Sequence, residues 1–384
     1  MSRVHARKRV AVLFGGRSAE HEISILSARF VVESLDREAF EPVLIGITKD
    51  GRWMREAEAN LLGQSRDPRL VRLNGVSGRD GIVDARDAVR LPAHPSPEDI
   101  EIVGESGDPE AIDIVFPVLH GPMGEDGTIQ GLLRLAEVPF VGSGVLGSAV
   151  GMDKDVMKRL FREAGLPIVP HRTLRRRDVV RDREAIVRGL LEFGEGRALF
   201  VKPANLGSSV GVSRATSREE LERSVDFALE FDDKIIVEQG LAGVRELECA
   251  ILGNDDPLAS VVGEVVVSHQ DGFYSYDAKY VDGDGSHTVI PADLAPNEIE
   301  TVQALAKRAF QVLECDGLAR VDFFRGADGK VYLNEVNTMP GFTAISMYPK
   351  LFEASGVRAE ELVRRLIELG FERAASKQKL RTSV

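Results

Sequence analysis

Apolar residues fall along the chain in short runs separated by glycine-rich and charged stretches, and the runs predict alternating strands and helices. Val10 to Phe14 is continuous and apolar and stops at Gly15-Gly16, the pattern of a buried strand. A helix follows, with Ser18 as its cap and Ile23, Leu26, Phe30 and Val31 on one face. Pro42 to Thr48 offers a second strand, so strand, glycine turn, helix and strand open a parallel α/β layer. Residues 63 to 110 are rich in Asp, Gly, Pro and Arg with little period and read as long connections. Ile112 to Leu119 is another apolar strand, ending at His120-Gly121. The Gly/Ser-rich stretch 141 to 151 fits either a crossover between domains or a tight packing loop.

A second unit opens near Met152-Asp153-Lys154 with a helix carrying Val156, Met157, Leu160 and Phe161. Strands are expected at Ala198 to Lys202, Val210 to Ser213 and Ile235 to Gln239, and a helix at Ser217 to Leu229. The third unit is strand-rich: Glu248 to Leu252, Ser260 to Val267, Leu318 to Phe324 and Lys330 to Val336. It closes with a helix over Ala359 to Leu369 and a polar tail expected to fray. The expected class is α/β followed by α+β, in three domains: 1–142, 143–240 and 241–384.

Length and composition narrow the function classes. A chain of 384 residues suits two or three domains. It has 61 Asp+Glu against 49 Lys+Arg, a net charge of −12, which argues against a dedicated nucleic-acid binder but leaves room for a local basic cleft. Cys249 and Cys315 are the only cysteines, too few for a disulfide framework, which points to a reducing compartment. The longest apolar runs fall far short of the ~20 residues that span a bilayer. The basic leader Ser2 to Arg9 precedes an apolar run too short for a secretory signal. The expectation is a soluble cytoplasmic protein without a membrane partner.

The strongest local signal is the pair ARVDFF (Ala319 to Phe324) and VYLNEVN (Val331 to Asn337), joined through the turn dipeptide Asp328-Gly329. Pairing Ala327 with Lys330 sets Asp322 opposite Glu335 and Arg320 opposite Asn337, all on one face. Directly opposed carboxylates repel unless a cation sits between them. Asp322, Glu335 and the Asn337 carbonyl form an all-oxygen set that suits a hard ion such as Mg²⁺; a solvated sheet face with one Arg–carboxylate pair is the alternative. KPANLGSSVGVS (Lys202 to Ser213) is a strand–loop–strand whose Gly207-Ser208-Ser209 can turn N–H groups and hydroxyls toward an anion, though it is not a P-loop. Taken with Lys154, Lys279 and the acidic face, it favours a nucleotide phosphate over a bare hairpin tip.

Other candidates are weaker alone. Glu20 and Glu22 meet a helix dipole, and Glu20 could instead hold an ammonium beside the Gly15-Gly16 break. His120 follows a buried strand at the edge where α/β sheets bind ligands. Glu238 and Glu246 bracket a strand and a glycine turn (Gly240 to Gly243) and could contact a sugar or an amino group, with ordinary surface acids as the alternative. Phe273 to Gly285 is an aromatic, polar loop of the kind that covers a substrate.

Together these segments resemble the D-alanine–D-alanine ligase family of the ATP-grasp superfamily. The resemblance is carried by FGGRSAEHEIS, HGPMGEDGTIQG, VGSGVLGSAVGMDK, VKPANLGSSVGVS, YDAKY, GLARVDFF and NEVNTMPGFTAIS, from about Phe14 to Ser346. Two departures are visible: Asn334 stands where the family more often has an apolar residue, and Ala344 where it often has Pro. The resemblance implies a three-domain ATP-grasp fold with a Rossmann-like first domain. It implies ligation of two D-alanines through an acyl phosphate for peptidoglycan precursors, with ATP as co-substrate and two Mg²⁺ or Mn²⁺ ions. Asp322, Glu335 and Asn337 are then the metal ligands, and Lys154, Lys202, Ser209 and Lys279 lie along the phosphates. Arg320 stabilises the acyl phosphate. Glu20 binds the first ammonium and is linked to Ser208 and Tyr280, with His120 nearby; Gly341 and Ser346 grip the second substrate. Glu238 and Glu246 match adenine and ribose positions, and Phe273 an adenine wall. Tyr280 favours a peptide over an ester product. Homodimers occur in the family. The rival readings are a ligase that makes D-alanyl-D-lactate or D-alanyl-D-serine and a nucleotide-binding module without turnover. A dinucleotide oxidoreductase has little support, since no G-x-G-x-x-G follows the first strand.

Overall fold

The computed structural model describes residues 7–63, 65, 67–71, 112–267 and 286–381, with short backbone pairing at 102–103 and 109–110. Among these residues three larger sheets form. The first has the order Trp53–Arg55, Phe40–Ile47, Lys8–Gly15, Ile114–Pro117, and its last three strands run parallel. The second, antiparallel, has the order His171–Arg175, Lys234–Gln239, Leu199–Pro203, Ser213–Ala215. The third, also antiparallel, is Ser286–Val289, Leu258–Val267, Arg245–Gly253, Gly317–Arg325, Val331–Asn337. The parallel layer comes first and the antiparallel sheets follow, as the α/β-then-α+β pattern requires. Most of the segment 63–110 lies outside the described residues.

Two apolar clusters hold the third sheet. On one, Leu247, Cys249, Ile251 and Phe323 pack against the helix Pro296–Val312 through Val302, Ala306 and Phe310. On the other, Ala250, Leu252 and Leu318 meet Phe342, Tyr348, Phe352 and the closing helix. That second cluster also takes in Val12, Phe14, Ile25 and Val31 from the first sheet and its helix. Arg373 donates to the carbonyls of Gly142 and Phe140, tying the closing helix to the end of the first layer.

Several expectations need correction. The first helix spans His21–Glu33 and buries Ser24, Ile25, Ala28, Val31 and Val32, so its inward face is rotated from the one read in the sequence. Ser18 accepts from the Glu20 amide at 3.1 Å in the preceding turn and does not cap that helix. Within the stretch 141–151 the packing element is a helix, Val145–Met152, not a loop. A Cβ on Gly147 would come 2.5 Å from the Glu314 carbonyl, so glycine lets this helix press against the chain there. The second strand of the Gly-Ser hairpin is Ser213–Ala215, later than expected, because Ser208, Ser209 and Gly211 adopt left-handed φ of 50°, 58° and 72° and keep the chain turning. The last helix continues to Gln378.

Candidate active site

Three neighbouring strands bring the acidic face together. Glu248 on Arg245–Gly253 pairs with Asp322, Asp322 pairs with Glu335, and Arg320 pairs with Asn337, so the cross-strand face expected from the period-two pattern is present. The hairpin reaches that register by another route. The Gly326 amide donates to the Lys330 carbonyl at 2.9 Å, and Arg325 pairs with Val331, an odd loop that alone would set Asp322 out of register with Glu335. An extra residue, Asn334, restores it: Phe323 faces Leu333 while Asp322 faces Glu335. Two residues on the bulged strand therefore oppose one, and Asn334 and Glu335 both line the cleft.

No ion is needed here to keep the two carboxylates apart. Arg320 donates to both Asp322 oxygens at 2.7 Å, and its Nε lies 3.0 Å from Glu248. Asn337 donates to Asp322 at 2.9 Å. Across the cleft, the Lys154 ammonium lies 3.0 Å from Glu335 and donates to the Leu206 carbonyl at 2.7 Å. Among the described residues no group of three or more His, Cys, Asp or Glu is gathered closely enough to hold a metal unaided. Two carboxylates and an amide still supply hard oxygen donors on one face of the cleft. They fit a divalent ion that takes its remaining ligands from phosphate or water.

The cation side is built on the helix Lys154–Glu163. Asp153 caps it, accepting from the amides of Asp155 and Val156 at 3.1 Å. Lys154 and Lys158, one turn apart, project from the same side. Glu238 lies between Lys158 and Lys202, with each ammonium 2.7 Å from a different carboxylate oxygen. Burial alone would raise the Glu238 pKa, but the two lysines reverse that and hold it at about 2. Burial lowers Lys158 more than its partner raises it, whereas for Lys202 the pull of Glu238 overcomes burial. Lys202 also reaches Asn334 at 3.4 Å and the Phe324 ring, 5.6 Å from the centroid. Lys154, Lys202, Ser209, Glu246, Asp322 and Glu335 all line one cleft of about 1350 Å³.

Beyond the loop, the Ser208 hydroxyl donates to the Glu20 carboxylate, a contact between residues 188 positions apart. Beside Glu20, the Gly121 amide donates to Glu125 at 2.7 Å. Burial first, then Glu20, push the Glu125 pKa up to about 8. His120 is buried: its Nδ1 faces the Met339 carbonyl at 3.1 Å and therefore carries the proton, and Nε2 accepts from Ser27 at 2.9 Å. Burial lowers its pKa against the pull of Glu20, so the ring is neutral. Ser346 accepts from the Thr343 amide at 3.0 Å, and a Cβ on Gly341 would lie 3.0 Å from the Ser346 hydroxyl. Glu22 is engaged elsewhere, in an ion pair with Lys49 at 2.7 Å. Phe273, Lys279 and Tyr280 lie outside the described residues.

Comparison with known proteins bears on what such a cleft belongs to. The family description "D-ala D-ala ligase N-terminus" matches residues 9–143, and "D-ala D-ala ligase C-terminus" matches residues 160–368. The chain belongs to the D-alanine–D-alanine ligase family. It is 46% identical over 383 residues to the D-alanine–D-alanine ligase of Shouchella clausii, covering 99% of each chain. It is 47% identical over 378 residues to D-alanine–D-alanine ligase A of Escherichia coli K12, covering 98% of this chain and 99% of that one. The solved D-alanine–D-alanine ligase of Coxiella burnetii superposes with a TM-score of 0.79 at 36% identity, over 97% of this chain and 98% of that one. The VanG D-Ala:D-Ser ligase of Enterococcus faecalis also gives 0.79, at 32% identity over 95% of this chain and 99% of that one. Solved ligases of this family have the ATP-grasp fold, so the resemblance and the fold expected from it hold, and with them an ATP-dependent ligase that uses a divalent metal.

Three charged residues in or beside this ligase's cleft have no role assigned from the sequence: Glu248, which lines it, and Lys158 and Glu125, which do not. Lys158 follows Lys154 at helical spacing, but spacing alone does not say which side of a helix is covered. Glu248 follows Glu246 with strand period and so shares its face; that signal was present in the sequence and unused. Glu125 sits inside HGPMGEDG, a glycine-rich turn in which an acid has no local signature of burial.

Proposed function

We propose that the chain joins two D-alanines to D-alanyl-D-alanine, with ATP converting the first carboxylate to an acyl phosphate that the second amine attacks. Family membership supports this, and the observation that carries it for these residues is the convergence of Lys154, Lys202, Asp322 and Glu335 on one cleft beside the Glu20–Ser208 contact. Phosphoryl transfer asks a protein mainly for positioning and charge compensation. In this reading Glu20 holds the first ammonium, oriented by Ser208, with the neutral His120 packed beside it. Lys154, Lys202 and Lys279 meet phosphate oxygens, with the Ser209 loop. Glu238, Glu246 and Phe273 receive the nucleoside. Arg320, kept in place by Glu248, stabilises charge on the acyl phosphate and then on the tetrahedral oxyanion. Gly341 and Ser346 place the second substrate, and Tyr280 joins the Glu20–Ser208 pair. Asp322, Glu335 and Asn337 hold Mg²⁺ or Mn²⁺, which when bound compensates charge on the β- and γ-phosphates.

We assign the three domains to 1–142, 143–240 and 241–384, and the site of action to the cytoplasm, on small molecules; a homodimer is an assembly that the family resemblance allows. Among the described residues no helix is long and apolar enough to cross a membrane. A second reading, ligation to D-serine, is favoured by the likeness to a D-Ala:D-Ser ligase. Phosphate release with Mg²⁺·ATP and a mixture of D-alanine, D-serine and D-lactate, with the product weighed by mass spectrometry, tests both. D-alanyl-D-alanine as the main product is expected. A dominant D-serine product replaces the first reading with the second, and no acceptor-dependent phosphate removes both. Tyr280→Phe is expected to raise ester relative to peptide.

A further inference from the structure

Lys158 has no part in the reading above, although it is the most deeply buried charged residue beside the cleft, with a side chain 1% exposed. It touches Glu238 from behind, while Lys202, 11% exposed and lining the cleft, touches the same carboxylate from the front. Both ammoniums stand 2.7 Å from Glu238, on opposite oxygens. His171 is the strand partner of Glu238, and Arg162 and Glu335 contribute to the field at this cluster. Resting on the reading that Lys202 binds phosphate, this arrangement poses a problem of exchange. To reach a phosphate the Lys202 ammonium must loosen its hold on Glu238. A buried carboxylate stripped of its cation is costly, so a carboxylate with one partner would hold it back.

We propose that Lys158 is the standing counter-ion of Glu238, a positioning residue that frees Lys202 to exchange the carboxylate for nucleotide phosphate. Glu238 keeps one cation throughout, so the exchange moves only the front lysine. Glu238 is ionised through neutral pH and Lys202 is held in its charged form, while burial works against the charge on Lys158 and the Glu238 carboxylate at 2.7 Å offsets part of that. The consequence is specific to phosphate. Removing Lys158 leaves the cleft wall and the Glu238 carboxylate in place for a nucleoside, and weakens only what Lys202 must move to grasp.

Calorimetric titration of the full chain with adenosine, ADP and ATP, without divalent metal, tests this. For Lys158→Met the affinity gained from the phosphates, taken as Kd for adenosine over Kd for ADP, is expected to fall at least tenfold, with adenosine itself within about twofold of the parent. In Lys158→Met/Glu238→Gln no carboxylate retains Lys202, and the ratio is expected to return to within about threefold of the parent. Lys158→Met keeps Glu238 paired with Lys202 at 2.7 Å and so leaves no buried charge without a partner, and its urea midpoint against the parent checks that it folds before the affinities are read. An unchanged ratio in Lys158→Met, an equal loss of adenosine and ADP binding, or no recovery in the double variant overturns the role of Lys158. Failure of the parent to bind ADP or ATP at all removes the nucleotide reading, and this inference with it.

Discussion

The cleft pairs acids with cations at both its ends, yet the two ends are built differently. At Glu238 the carboxylate is 3% exposed and is clasped by Lys158 and Lys202. At the acidic face the side chains of Asp322 and Glu335 are 13% and 21% exposed, and both line the cleft, as does Lys154, the partner of Glu335. A buried charge that loses a partner pays the full cost of desolvation, whereas one beside water can trade partners. Burial therefore separates the two ends: Glu238 must always keep a cation, the role proposed for Lys158 while Lys202 turns to phosphate, so that buried pair is architecture, whereas the Asp322 end is, in the proposed reading, machinery that exchanges its partners for phosphate and metal.

The sharpest break of that comparison is Glu238→Ala. It leaves Lys158 and Lys202 facing each other with no anion between them. Urea unfolding is expected to show a loss of about 3–5 kcal/mol. Asp322→Asn should behave in the opposite way. Its fold is retained to within about 1 kcal/mol, because Arg320 keeps Glu248 and the pair is partly solvated. D-alanine-dependent phosphate release is expected to fall by about 10²–10³-fold. If Asp322→Asn unfolds as readily as Glu238→Ala, the division into architecture and machinery is lost.

How much of this was legible in the sequence follows from the range of each signal. The acidic face could be read because Arg320, Asp322, Glu335 and Asn337 lie within one hairpin, where period two decides which side chains meet. The loop behind it was misread, since Asp328-Gly329 marks a turn without counting its residues, and the compensating bulge at Asn334 has no local signature. The first helix was found but rotated, because its buried Ser24 and Ser27 are polar and periodicity weighs only apolar residues. The Glu20–Ser208 contact spans residues that no local pattern connects, and only the family resemblance put them together. Lys158 was invisible for a different reason: a buried lysine looks in sequence like any surface lysine.

A smaller effect belongs to Glu125, which lies between the two ends in character: partly buried, yet without a cation at hydrogen-bond distance among the contacts found for it. Its folded-state pKa is raised from 4.5 to about 8 by burial and by Glu20. The sign follows from proton binding. Between those values the folded chain holds a proton that the unfolded chain has released, so stability from this group is full below about pH 4.5 and is lost as pH rises through about 8. Glu125→Gln keeps the neutral shape and removes the titration. Urea midpoints across pH 6 to 8 should flatten relative to the parent, by about 1–2 kcal/mol in all. Parallel pH profiles for the two proteins would show that Glu125 is ionised in the folded state.

The least perturbing test concerns Asn334, which the bulge carries into the cleft beside Glu335. Its amide oxygen accepts from Lys202 at 3.4 Å, at the outer limit for such a bond, while Glu238 holds the same ammonium at 2.7 Å. The closer, charged partner dominates, so the amide adds little to the position of Lys202. Asn334→Leu also keeps the side-chain size and leaves the backbone pairing that forms the bulge. It is expected to change KM for ATP by less than about threefold, under about 0.7 kcal/mol, with kcat unchanged. A tenfold rise in KM would mean that the front lysine is steered by the bulge as much as by Glu238, and the contrast between the two ends of the cleft would have to be redrawn around Asn334.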